Sequence, residues 1–190
     1  MVELLFIRDF LDTAAREKIV EELRTAGGGA ATVYGLESSG AVDSRVRRAT
    51  RVVVSMETRE RLMRQLLERK REIEEHFGIT LGQCEEPQLL RYKVGDFFVA
   101  HQDGNTPLIL DESRLRKISV IIFLNPQSDE PAPDTYGGGS LVFHGPFSEP
   151  PQPLPLAGAP GTLVAFRAET THEVMPVTHG ERYTIVSWYR

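Results

Sequence analysis

The stretch "VAHQD", Val99 to Asp103, sets a histidine and an acid one residue apart at the end of the apolar run "DFFVAH". In an extended strand, residues i and i+2 project to the same side, so His101 and Asp103 can aim at one point. Such a pair alone also marks many places where a strand leaves a core, and two ligands make half of a metal site. The rest must come from another strand. The chain has five histidines, and their settings separate them. His76 ends a charge-rich amphipathic helix and is expected to be solvated. His144 precedes Gly-Pro at a strand exit, and His179 precedes Gly in what is expected to be a tight turn. His172 opens "HEVMPV", just after the apolar strand "GTLVAF" has turned through a polar loop. With His101 and Asp103 it completes two imidazoles and one carboxylate.

That donor set suits ferrous iron and leaves three coordination positions open. Zinc also accepts it, but zinc chemistry of this type usually comes from a helical H-E-x-x-H, which the sequence lacks. Three open positions suit a bidentate organic co-substrate together with dioxygen. Arg182 starts the apolar run "RYTIVSWY", one strand beyond His172. Its guanidinium fork could take the far carboxylate of that co-substrate in two hydrogen bonds.

The elements that would hold these residues fall into two parts. In the first ~80 residues, helices and strands alternate. "VELLFI" reads as a short strand. Residues 12–26 read as a helix with Asp12 as N-cap, apolar positions at Ala15, Ile19 and Leu23, and a stop at Gly27 to Gly29. "TRVVVS" reads as a buried strand. A second helix over 57–77 has the stripe Leu62, Leu66, Ile73 and Phe77, with Gly78 at C′. From Gln88 onward, short β-rich runs follow one another: "LLRYKV", "DFFVAH", "KISVIIFLN", "GSLVF", "GTLVAF", "HEVMPV" and "RYTIVSWY". Helical periodicity is absent there, which excludes βαβ units and points to a jelly roll or small barrel. "NPQSDEPAPDTYGGG" is expected to be a long loop, and "HGPFSEPPQPLPLAGAPG" a proline-stiffened surface connector.

At 190 residues, 41% hydrophobic and 26% charged, the composition is that of a soluble single domain. Residues 1–86 are expected to form a support region and 87–190 a catalytic core. No apolar run approaches the roughly 20 residues that span a bilayer. "MVELLFIRDF" carries a charge inside its apolar stretch and is not expected to be a signal peptide. A single cysteine, Cys84, favours a reducing, cytoplasmic setting. A net charge of −5 argues against nucleic acid as a partner. The arginines of "SRVRRATR" are expected to form a solvated loop and strand edge.

The chain resembles the iron(II)- and 2-oxoglutarate-dependent dioxygenases, in their prolyl 4-hydroxylase-like branch. The resemblance runs from about Leu89 to Arg190 and rests on "RYKVGDFFVAHQD", "ISVIIFLN", "YGGGSLVF", "GTLVAF" and "THEVMPVTHGERYTIVSWY", in that order. It implies an α+β chain whose core is a double-stranded β-helix with supporting N-terminal helices. It further implies that His101, Asp103 and His172 bind iron and that Arg182 holds the distal carboxylate of 2-oxoglutarate. Tyr92 would contribute a hydroxyl to the co-substrate. Phe123, which falls where some members carry a second tyrosine, would wall the pocket with Ile121, and Trp188 would form its floor near Arg182. The implied reaction consumes dioxygen and 2-oxoglutarate, releases succinate and CO2 and hydroxylates a C–H bond, with ascorbate as a candidate reductant. A prolyl or other side chain in a peptide or protein is the expected substrate. The loops "VYGLESSGAVDSR" and "DGNTPLILDESRLR" could clamp an extended peptide or close equally over a small molecule, so a free amino acid or metabolite is one alternative, and a non-enzymatic cupin-type metal barrel is another.

Overall fold

The computed structural model describes residues 2–32, 43–107, 109–145 and 152–190. Strand β1 (Leu4–Ile7) leads into helix α1 (Thr13–Thr25). The Asp12 carboxylate caps α1 by accepting from the Ala15 amide at 2.7 Å. The helix stops at Ala26, one residue before the glycines, and part of that expected stop is instead strand β2 (Gly28–Ala30). A Cβ on Gly28 would lie 2.5 Å from the Arg51 carbonyl, so only glycine fits this close strand approach.

The basic segment supplies β3 (Arg47–Arg48) and β4 (Thr50–Val52). The predicted strand over 50–55 is cut short because Ser55 turns to cap α2 (Met56–Phe77), accepting from the Thr58 amide. Gly78 closes that helix at φ 62°, the left-handed conformation glycine adopts without steric cost.

Then come β5 (Gln88–Tyr92), β6 (Phe97–His101), a 3-10 turn at Glu112–Leu115 and β7 (Ile118–Phe123). Strands β8 (Tyr136–Gly138), β9 (Leu141–Phe143) and β10 (Leu154–Leu156) follow. The last four are β11 (Leu163–Arg167), β12 (His172–Val174), β13 (Val177–Gly180) and β14 (Arg182–Tyr189). Two expected loops therefore contain strands. Strand β8 lies at the end of the polar loop, and β10 in the proline-rich connector. Pro155 is tolerated because β10 is an edge strand with one neighbour, so its missing N–H breaks nothing. The run "HEVMPV" is two strands, split at Pro176.

The seven-stranded sheet has the order β1-β11-β7-β14-β5-β4-β2, and the five-stranded sheet the order β10-β9-β12-β6-β3. Strands β13 and β8 pair separately. Strand alternation gives the large sheet two different faces. Ile118, Val120 and Ile122 of β7 and Ile185 of β14 meet Ile19, Leu23, Leu62, Leu66 and Ile73 of the helices. The helices thus cover the outer face, as their one-sided stripes predict. Ile121, Phe123, Val164 and Phe166 point the other way and join Leu141 and Phe143 of the smaller sheet. Strand β7 is buried along its whole length, which is why "ISVIIF" reads as nearly continuous hydrophobicity. Each such aliphatic side chain contributes about 1.5–3 kcal/mol on burial. Among the described residues no helix is long and apolar enough to cross a membrane.

Candidate metal centre

Strands β6 and β12 pair antiparallel with His101 directly opposite His172. The next partners are Phe98 and Val174, so three steps on β6 match two on β12. This bulge turns Phe98 to the same side as His101, and their rings stack with centroids 3.5 Å apart. The run before the site is less buried than its composition predicts. Phe97 and Phe98 are half-buried and Val99 is exposed, because β6 faces an open cavity and is flanked by the short edge strand β3.

Strand β6 ends at His101, so simple strand alternation does not position Asp103. Its backbone is fixed instead by the amides of Asp103 and Gly104, which both donate to the Ala168 carbonyl at 2.9 and 3.2 Å. A Cβ on Gly104 would lie 2.6 Å from the Ser113 carbonyl and 2.5 Å from the Arg116 Cβ, so the chain turns here through space that only glycine leaves free.

The donor atoms of His101, Asp103 and His172 lie within 4.8 Å of one another. His101 Nδ1 lies 2.8 Å from the Val99 carbonyl and His172 Nδ1 2.9 Å from the Thr170 carbonyl. A carbonyl only accepts, so each Nδ1 carries a proton and each ring turns its Nε2 toward Asp103. Each Nε2 is 3.5 Å from an Asp103 carboxylate oxygen. Burial, with His101 as a second cause, pushes the His172 pKa down to about 4, so its imidazole is neutral at pH 7. Burial works against the Asp103 charge, but His172, His101 and the Ser119 hydroxyl outweigh it and hold the carboxyl well below the usual range. Ser119 donates to Asp103 Oδ2 at 2.7 Å. Two imidazoles that turn Nε2 to one point and one oriented carboxylate are the donor set that a divalent ion requires, and they fit ferrous iron.

The centre opens on a cavity of about 110 Å³. A single water needs about 10–15 Å³, so this space suits a small organic molecule. Arg182 lines it and is 1% exposed. Its Nη1 donates to Thr184 Oγ1 at 3.2 Å, while Nε and Nη2 are buried without a partner. Tyr92 is opposite Arg182 in the β5–β14 register, and the guanidinium carbon sits 5.1 Å from its ring centroid. Two idle donors on one guanidinium form a fork of the geometry a carboxylate fills.

Ile121 lines the cavity, but Phe123 does not wall it. The Phe123 ring lies beside the guanidinium at 5.8 Å and packs within the core between the sheets. Trp188 lines the cavity, and the cation stacked on it is Arg116, at 3.7 Å, rather than Arg182. Arg116 is in turn clamped by Glu85 at 2.7 and 3.0 Å.

Sequence reading missed Ser119, Gln102, Arg116 and Arg47, all near the donors or on the cavity wall. A lone hydroxyl on the inward face of "ISVIIF" was a usable signal for Ser119. The basic cluster is not wholly solvated, since Arg47 is buried and forms part of the cavity. Of the remaining histidines, His76 is exposed and His144 bonds Glu173 at 2.8 Å. His179 lies in β13 rather than in a tight turn, and Gly180 beyond it turns the chain at φ 67°. The loop after Asp103 contributes Ile109, Ser113 and Arg116 to the cavity. Most of the other expected clamp, residues 33–42, lies outside the described residues.

Antiparallel sheets that carry two imidazoles, one carboxylate and a buried arginine on one cavity form a candidate non-haem metal site. Residues 87–190, more than half the chain, match the 2OG-Fe(II) oxygenase superfamily, and the chain belongs to that family. A PKHD-type hydroxylase of Paracoccus denitrificans is 34% identical over 104 residues, covering 54% of this chain and 41% of that protein. One from Maricaulis maris is 37% identical over 100 residues, covering 53% and 39%. The match thus spans about two-fifths of the length of these curated relatives. Among solved structures, a Pseudomonas putida prolyl-4-hydroxylase aligns with a TM-score of 0.70 at 18% identity, covering 100% of this chain and 93% of that one. A Trichoplax adhaerens prolyl hydroxylase, solved with a hypoxia inducible factor peptide fragment, aligns at 0.69 and 16% identity, covering 100% and 84%. These two likenesses are of fold.

Proposed function

We propose that the chain is an Fe(II)- and 2-oxoglutarate-dependent dioxygenase that hydroxylates a prolyl C–H bond in a peptide or protein. The observation that carries this reading is the pairing, on one cavity wall system, of the His101–Asp103–His172 donors with the unspent fork of Arg182. A metal store of cupin type has no use for a buried arginine with two idle donors.

In this reading the triad holds Fe(II), and Arg182 takes the far carboxylate of 2-oxoglutarate, with Tyr92 braced beside it. With dioxygen, the bound iron and 2-oxoglutarate supply the oxidation that places a hydroxyl on the substrate and releases succinate and CO2. The protein's own contribution is positional. Ser119 fixes the Asp103 carboxylate, the Val99 and Thr170 carbonyls fix both imidazole tautomers, and Ile121, Val186 and Trp188 exclude water from the cavity. No general acid or base is required of the chain. We read the two facing sheets as the double-stranded β-helix of the family, with residues 1–86 as its support and ascorbate as a reductant that keeps the iron ferrous. Family membership, the hydroxylase names of the relatives and the peptide bound to the Trichoplax neighbour support the choice of substrate.

The test is 2-oxoglutarate decarboxylation by the iron-loaded protein, with proline-containing peptides supplied and the products weighed by mass spectrometry. A gain of one oxygen on proline, absent in Asp103→Ala, is the expected result. Peptides left unmodified while a free amino acid gains oxygen would move the substrate to the small-molecule class.

A further inference from the structure

Arg47 sits on β3, the edge strand of the five-stranded sheet, opposite Phe98 of β6. It is 8% exposed and lines the same cavity as the metal donors. Its guanidinium carbon lies 4.6 Å from the Phe98 ring centroid, and the Phe98 ring stacks on His101. One nitrogen, Nη1, donates to the Thr32 carbonyl at 3.0 Å, while the buried Nε has no partner. No carboxylate among the described residues neutralises it. A guanidinium held out of water without a counter-charge is costly, and the cost is recovered when an anion docks against it.

The charges of the loaded cavity can be followed group by group, on the function proposed above. Asp103 and the near carboxylate of 2-oxoglutarate balance a divalent ion, and the far carboxylate balances Arg182. Glu85 balances Arg116. One positive charge remains, and it is that of Arg47. On the same wall, Gln102 spends its Nε2 on the Glu169 carbonyl at 2.7 Å and leaves its buried Oε1 without a donor. An unspent cation and an unspent acceptor suit a ligand that brings both a carboxylate and an N–H.

We propose that Arg47 receives a carboxylate of the primary substrate and makes this chain selective for acidic substrates. The carboxylate comes from an acidic side chain of a peptide or from the α-carboxylate of a free amino acid. The chemistry is the same for both sources, and matched acid and amide probes separate them. This inference rests on the proposed co-substrate site, since it is the filling of that site that leaves Arg47 unbalanced.

The experiment uses the full chain loaded with Zn(II), which occupies the donors without turnover, and saturated with 2-oxoglutarate. Calorimetric titrations compare L-proline with L-prolinamide, and acetyl-Ala-Pro-Glu-amide with acetyl-Ala-Pro-Gln-amide. In one of the two pairs the acid is expected to bind at least tenfold more tightly than its amide, and that pair identifies the source. Arg47→Gln should erase the preference and Arg47→Lys should keep part of it, with 2-oxoglutarate affinity unchanged in both. Equal binding of acid and amide in both pairs, or a preference that survives Arg47→Gln, overturns the assignment. Failure of the wild-type protein to bind 2-oxoglutarate overturns the underlying function instead, so the two failures are distinct.

Discussion

Replacing Arg182 by alanine separates the proposed co-substrate clamp from the candidate metal centre. Arg182 is the largest of the fully buried side chains among the described residues, its Nε and Nη2 are unspent, and Thr184 already holds Nη1. The fork therefore offers a carboxylate two charge-assisted hydrogen bonds, each of about 1.5–3 kcal/mol. Their sum agrees with the roughly 3–5 kcal/mol lost when one member of a buried ion pair is removed. At about 1.4 kcal/mol per decade, Arg182→Ala should raise the 2-oxoglutarate dissociation constant by roughly two to three orders of magnitude. Iron affinity should be spared, because Arg182 supplies no donor to the triad. Arg182→Lys should be milder, since the charge stays while the planar fork goes.

Two measurements read this directly: titration of 2-oxoglutarate and of metal in parallel, and thermal unfolding with and without the co-substrate. Wild type at about a hundredfold excess over its dissociation constant gains roughly 2.7 kcal/mol from binding. Arg182→Ala at the same concentration should gain almost nothing. Unchanged co-substrate affinity in a folded Arg182→Ala protein would refute the reasoning, and Arg182 would then be a buried charge with no ligand.

Ser119→Ala removes the hydroxyl that orients Asp103 and should weaken metal binding about 10–100-fold, read by competition with a chelator, with little change in the apo melting temperature. Glu85 is a pH prediction. Burial opposes its charge, but Arg116 and Arg190 prevail and hold its pKa below the ordinary value. A depressed carboxyl contributes stability that is fully present above the unfolded pKa of about 4.3 and is lost as pH falls through the lower native value. Urea unfolding should therefore show Glu85→Gln less stable than wild type by up to about 3 kcal/mol at pH 7, with the gap shrinking below pH 4. A gap that widens in acid would contradict the pairing. Glu68→Gln, on the exposed face of α2, should leave turnover at the wild-type rate, and a defect there without loss of stability would give the helices more than a supporting role.

The sequence by itself determined much that is local. Both helices announced themselves through one-sided stripes, with a polar cap at Asp12 for the first and the Gly78 stop for the second, because those signals act within a turn or two of chain. The central strands did so through continuous apolar runs, because a strand buried on both faces has no polar positions to spare. Residue types, their places along the strands and the family resemblance brought His101, Asp103, His172 and Arg182 together as candidates. Tertiary structure decided what depends on distant partners. Short edge strands such as β3 and β10 exist because a neighbour supplies their hydrogen bonds, so nothing in "RR" or "LPL" reveals them. Asp103 reaches the donors through the Ala168 carbonyl and the space around Gly104, not through strand alternation. Arg47 looks in sequence like one more surface charge. Only the pairing of β3 with β6 turns it into the cavity, where burial rather than residue type makes its charge significant.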